Sequence, residues 1–250
     1  VWSGATNQSM SIGGSLINNT DGLTHGLTTT SKCDFTTIPV TFFGSNIASI
    51  TNTAGNPSTI FSTVTVNKGT SQATTLTCDI GGTLTTPTNN WLTLQNGTFQ
   101  YTRTDPAAGA NFTVSTTSIF TIPATAGFYV NMPSNANNIN VLIANNGVNT
   151  NDVYLNGKLT LVNGNIYIGP IAAPNSNNDI EYSGGGASAI EVQGGTLVVN
   201  GQIRRNPAVT NGILSYIQSG GTVTINGNNS ITTNAKLEVL NTGSTFNMSS

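Results

Sequence analysis

The stretches GGTLVVNGQI (194–203) and GGTVTINGNN (220–229) superpose without a gap, 26 residues apart. Each opens on paired glycines, alternates Thr with Val, Leu or Ile, and closes on Asn-Gly. Alternation with period two is the signature of a strand with one buried face, and Gly-Gly and Asn-Gly supply the turns that bound it. A strand–turn unit that recurs after a few tens of residues points to stacked repeats. NGKLTLVNGNI (156–166) reads as a third, looser copy, and the same opening stands at GGSL (13–16) and GGTL (81–84). The starts at 13, 81 and 194 fit three and five units of about 22–23 residues, and Cys33 and Cys78 fit two. These spacings predict an all-β chain: a right-handed parallel β-helix, or β-solenoid, with coils of about 22–26 residues.

Alternation dominates elsewhere too. STVTVN (62–67), NWLTLQNGTFQYT (90–102), INVLIAN (139–145), DVYLNGKLTLVNGNIYIG (152–169) and GILSYIQSGGTVTING (212–227) all read as strands. No window carries a helical stripe. Seven Asn-Gly dipeptides punctuate the runs, and Asn-Gly serves a hairpin or a left-handed solenoid corner equally well. GPIAAPNSNN (169–178) and SGGGAS (183–188) read as loops leaving the coil.

Composition agrees with this reading. The 250 residues include 41 Thr, 35 Asn and 28 Gly, while charged residues make up only 6%. Thr suits a pleated, half-buried surface, and Asn and Gly suit turns with positive φ. A net charge of -2 and seven scattered cations leave no electrostatic footprint for nucleic acid. No run of 18 apolar residues is present, so no membrane-spanning helix is expected. The start at Val1 carries no secretory signal, and the close at LEVLNTGSTFNMSS (237–250) stops within a β pattern, so coils are expected to continue beyond Ser250.

The halves differ. Residues 1–130 hold most of the Thr, both Cys and both Trp, and are expected to form an irregular solenoid or an N-terminal β-sandwich. Residues 131–250 carry the cleaner repeats and are expected to form a regular solenoid.

Chemistry-bearing residues are few. Asp179 and Glu181, at i and i+2 in NDIEY, project from one strand face, and Glu191 follows a Gly-rich turn that can bring it near. With Tyr182 beside them these acids form a candidate glycan or cation site, although no Arg, Lys or His is close in sequence. Catalysis would need two or three acids gathered on one face, often with a base, and no catalytic residue is assigned. Asp34 and Asp79 each follow a cysteine, but calcium-loop spacing is missing, and no metal or cofactor is expected. One disulfide is open to Cys33 and Cys78 in an oxidising compartment. Equivalent sites two rungs apart would leave them beyond disulfide reach. The pairs Thr63/Thr65, Thr75/Thr77, Thr83/Thr85 and Thr222/Thr224 would support ice binding only if they formed a flat array on one face.

At GGTLVVNGQI, NGKLTLVNGNIYI and SGGTVTINGNNSITTNAKLEVLNTGSTF (219–246) the chain resembles the long repetitive surface adhesins of Bacteroidota. These are gliding-motility adhesins and cargo of the type 9 secretion system. The resemblance covers roughly residues 140–250; VWSGATN at the start also looks like the opening that follows signal cleavage in such proteins. It implies an extracellular, outer-membrane-associated location, a longer parent chain and contact with the secretion machinery. The implied role is a non-enzymatic adhesin or stalk that meets surface glycans or solid surfaces. The alternatives are a secreted polysaccharide lyase or glycosidase on a β-helix and, third, an ice-binding solenoid.

Overall fold

The computed structural model describes residues 8–20, 32–52, 58–80, 84–87, 89–104, 111–133, 139–148, 150–174, 176–184, 186, 188–227 and 237–248, with the backbone of 24–25 and 29–30. Every regular element among them is a strand, and no helix is long and apolar enough to cross a membrane. The strands stack in parallel into a β-solenoid of about seven turns.

Each complete coil lays down three strands in a fixed order, so the solenoid has three faces. The first face carries Val40–Gly44, Val64–Lys68, residues 92–96, Phe120–Ile122, Val153–Leu155, Ile180–Tyr182 and Ile203–Arg205. The second carries Leu16–Asn18, Ala48–Asn52, Thr75–Asp79, residues 97–102, Ala126–Asn131, Lys158–Asn163, Ser188–Val192, Leu214–Gln218 and Thr245–Met248. The third ends with Asn140–Ile143, Asn165–Ile168, Thr196–Val199 and Thr222–Ile225. Among the described residues only the second face is hydrogen-bonded without interruption, from residues 16–18 to 245–248. The first-face ladder breaks between residues 92–96 and Phe120–Ile122, leaving a cavity of about 250 Å³ lined by Leu92, Leu94, Phe120 and Thr121.

The N-terminal half joins the same parallel ladder. Leu76 pairs with Ala48, and Phe99 pairs with both Leu76 and Phe128. An N-terminal sandwich of antiparallel sheets is therefore not formed among the described residues, where the sole antiparallel pair is residues 24–25 with 29–30. Residues 134–138, just after the expected division between the halves at 130/131, lie outside the described residues.

Inward positions build one column. Val40, Val64, Leu92, Phe120, Val153, Ile180 and Ile203 descend the first face, and Ala48, Leu76, Phe99, Phe128, Leu159, Ile190 and Tyr216 the second, all buried. Aromatics fill its middle coils: the Phe99 and Phe128 rings stack at 6.0 Å, and Trp91 meets Phe112 edge-on while its Nε1–H donates to Thr113 O at 2.8 Å. Trp91, Tyr101 and Tyr216 therefore belong to the core and offer no exposed stacking surface. Asparagines at equivalent positions bridge coils: Asn140 Nδ2 donates to Asn111 Oδ1, Asn165 Nδ2 to Asn140 Oδ1, and Asn226 Nδ2 to Asn200 Oδ1.

The coil is longer and less uniform than the sequence spacings imply. Ladder partners lie between 23 residues apart (Thr75 and Thr98) and 34 apart (Leu16 and Ile50), because corner segments such as 169–174 add length without adding strand. Thr196 does pair with Thr222, as the two GGT copies require. The third copy is shifted: Thr196 pairs back with Asn165 in NGNI, while Lys158 of NGKL pairs with Ala189 on another face. GGSL enters the second face, and Leu84 of GGTL pairs with Thr59 in a separate ladder, so the 68- and 113-residue gaps are not multiples of one coil.

A glycine sets the true repeat. Gly164, Gly195 and Gly221 stack at one corner with φ of +100°, +70° and +70°, a region side chains rarely enter. A Cβ on Gly195 would lie 2.3 Å from Gly164 O, and one on Gly221 would lie 2.6 Å from Gly195 O. Gly195→Ala is thus expected to cost about 2 kcal/mol through the left-handed backbone and the main-chain clash. Gly14→Ala, where nothing lies within 4 Å, should stay near neutral. Urea midpoints of the two variants check this pair.

Candidate functional site

Three consecutive coils bring acids and a cation together on the first face. Val153, Ile180 and Ile203 pair in register and point inward, so their neighbours Asp152, Asp179 and Gln202 form one outward column, and Tyr154, Glu181 and Arg204 form the next. Asp152 Oδ1 accepts the main-chain N–H of Asp179 at 2.8 Å, and Asp179 Oδ1 accepts that of Gln202 at 2.6 Å. Each carboxylate thus ties its own coil to the next. Gly201 makes the second tie possible, since a Cβ there would lie 2.1 Å from Asp179 Oδ1.

Arg204 spans the two later acids. Its Nη2 donates to Glu181 Oε1 at 2.7 Å, and its Nε lies 2.7 Å from Asp179 Oδ2, an ion pair without hydrogen-bond alignment. Asn206 Nδ2 donates to Glu181 Oε2 at 2.9 Å. Asp179 is 2%, Glu181 4% and Asp152 6% exposed, whereas the Arg204 side chain is 34% exposed.

Burial governs the protonation of these acids. It pushes Asp152 up to about 7; the N–H of Asp179 opposes the rise, and the charges of Asp179 and Glu181 add to it. Burial raises Asp179 and Glu181 as well, with the Gln202 N–H and Arg204 working against it at Asp179 and Arg204 at Glu181. A carboxyl raised in the fold favours the native state below the unfolded value and loses that contribution as pH climbs through the folded one. For Asp152 the window runs from about 4 to about 7. Asp152→Asn, which keeps an oxygen for the Asp179 N–H, should leave stability unchanged near pH 4 and raise it by about 2 kcal/mol at pH 8. Chemical unfolding at the two pH values measures the difference.

Of the three acids singled out from the sequence, the fold brings Asp179 and Glu181 together and leaves Glu191 elsewhere. Glu191 sits on the second face, ion-paired with Lys158 and accepting from Gln193 Nε2 at 2.8 Å. The pair with Lys158 holds its carboxyl below the usual range. Sequence reasoning missed Asp152 and Arg204, which lie one coil before and one coil after. It also placed no cation near the acids, whereas Arg204 stands directly in register with Glu181.

The other candidates separate. Cys33 and Cys78 are free thiols on different faces: Cys33 pairs with Thr59, and Cys78 with Ile50 and Tyr101. They do not occupy equivalent sites, and burial pushes the Cys78 thiol up to about 12. Asp34 and Asp79 are likewise apart: Asp34 pairs with Lys32 at 2.9 Å, and Asp79 Oδ2 accepts from Thr104 Oγ1 at 3.0 Å. Thr65, Thr77 and Thr224 fall on the first, second and third faces, so these Thr pairs build no common flat array, and Thr83 lies outside the described residues. His25 side-chain structure lies outside the described residues. Among the described residues no trio of His, Cys, Asp or Glu is gathered for a metal ion. Comparison with family models, with curated proteins and with solved structures gives no match.

Proposed function

We propose that the chain is a non-enzymatic stalk or adhesin segment of a large, secreted, outer-membrane-associated surface protein. Stacked coils supply length, and the outer faces meet surface glycans or solid surfaces. One observation carries this reading: both oxygens of Asp179 and of Glu181 are engaged inside the protein, and both residues are buried. Carboxylates consumed in tying coils together are not presented to a substrate. The neutral Thr- and Asn-lined exterior supports the same reading, since it solvates the rod without a long-range field. Its resemblance to gliding-motility adhesins makes type 9 export machinery the expected partner.

A second reading, a polysaccharide lyase or glycosidase, is favoured by one feature. Asp179, Glu181 and Arg204 converge beside Asp152, a carboxyl that burial raises to about 7. The two readings part in one experiment. Purified chain is assayed for attachment to a panel of immobilised cell-surface glycans and to glass, and for release of reducing ends or unsaturated products from the same glycans. The stalk reading expects attachment that survives Asp179→Asn with Glu181→Gln, and no cleavage. Cleavage by the natural chain that disappears in the double variant would establish the enzyme instead.

A further inference from the structure

Seven Asn-Gly bonds are present, and the fold disarms six of them. An Asn-Gly bond deamidates when the glycine nitrogen attacks the asparagine Cγ. Ammonia leaves, a succinimide ring closes, and water opens it to aspartate or isoaspartate. The attack needs an asparagine amide free to rotate onto the next nitrogen. Hydrogen bonds to that amide, or from that N–H, hold the reactants apart.

Six amides are held in this way. Asn96 Nδ2 donates to Asn67 Oδ1 at 2.8 Å, and Gly97 N–H to Thr125 O at 3.0 Å. Asn146 Oδ1 accepts from Val148 N–H and Asn151 Nδ2. Asn156 Oδ1 accepts from Ser183 Oγ, and Gly157 N–H donates to Ile122 O at 2.9 Å. Asn163 Nδ2 donates to Asn131 Oδ1 at 3.2 Å. Asn200 and Asn226 are joined to each other, with Asn200 Nδ2 also donating to Pro170 O and Gly227 N–H to Gly201 O.

Asn211 differs from all of these. It is exposed, its side chain makes no hydrogen bond to a described residue, and neither does the N–H of Gly212. Gly212 is buried, while Asn211, which supplies the reacting side-chain amide, is exposed to solvent. We infer that Asn211–Gly212 is a self-modification site, where the folded protein converts an amide to a carboxylate by intramolecular succinimide formation. The new charge arises beside Arg205, whose Nη1 donates to Thr210 O at 3.1 Å. The isoaspartyl product also inserts a methylene into the main chain just before Leu214–Gln218 of the unbroken second-face ladder.

The test is peptide mapping by mass spectrometry after incubating the folded protein in oxygen-18 water at mildly alkaline pH, with a urea-unfolded sample in parallel. Conversion at Asn211 is expected to run an order of magnitude faster than at any other Asn-Gly in the folded protein. In urea the seven should react at comparable rates. Asn211→Gln, at an exposed side chain, should leave the folded protein almost unmodified over the same period. Equal conversion at a second Asn-Gly in the folded protein would overturn the inference, and so would the same lead for Asn211 in urea, which would place the cause in local sequence.

Discussion

Replacing Phe128 by alanine is expected to remove about 3–5 kcal/mol of stability, the usual range for deleting a fully enclosed aromatic ring. Phe128 is wholly buried in the column. Its ring stacks on Phe99 at 6.0 Å and meets Phe120 edge-on at 5.5 Å, so it joins the first and second faces across two coils. The ladder on either side is main-chain only and cannot collapse into the hole, because Phe99 and Leu159 pair with Phe128 from both neighbouring coils. In a stack where each coil leans on its neighbours, the loss should be local before it is global. Amide hydrogen exchange should therefore show the strands at 97–102, 126–131 and 158–163 opening more often than those at 188–192 and 214–218. A urea titration gives the total. A loss below about 1 kcal/mol would mean that the ring is not enclosed.

Arg204→Ala is expected to cost about 3 kcal/mol at pH 8. Removing one partner of a buried pair leaves uncompensated charge, a loss of about 3–5 kcal/mol, and the partial exposure of Arg204 places this case at the lower end. Two carboxylates lose their cation at once, since Asp179 and Glu181 share it. The sign of the pH dependence distinguishes this from simple loss of packing. Without Arg204 the folded-state values of both acids rise further, so the variant should recover most of its deficit as pH falls toward 4 and both carboxyls protonate. Unfolding curves at pH 8 and pH 4 measure it. An equal deficit at both would assign the guanidinium a packing role alone.

Fold class was legible because it depends on residues near one another in the chain. The alternation in GILSYIQSGGTVTING and its repeat of GGTLVVNGQI both survive as register partners. The coil length was less legible. GG pairs mark corners of more than one face, and only the glycine whose φ is positive at each turn identifies equivalent corners. The candidate site was half legible. Asp179 and Glu181 share a strand face by simple alternation, but the partners that complete the cluster sit a full turn away. The turn varies: Ile180 follows Val153 by 27 residues and precedes Ile203 by 23, so no fixed spacing could connect Asp152 or Arg204 to them. Glu191 failed for the opposite reason. It is close in sequence, but Ser188–Val192 lies on the second face while Ile180–Tyr182 lies on the first.

Coils stacked in parallel along the second face define the molecule, and distances along that face test this stacking most directly. Ser49, Tyr129, Glu191 and Ile217 occupy one column, with three, five and six rungs separating the later three from Ser49. Spin labels placed pairwise at Ser49 and each of the others, with Cys33 replaced by serine and Cys78 by alanine, give the distances by double electron–electron resonance. At about 4.8 Å per rung the Ser49–Tyr129, Ser49–Glu191 and Ser49–Ile217 separations should be about 14, 24 and 29 Å before the label arms are added. Distances that increase in that order by the rung spacing are the predicted result. Separations that fail to grow with rung number would contradict a single stacked solenoid.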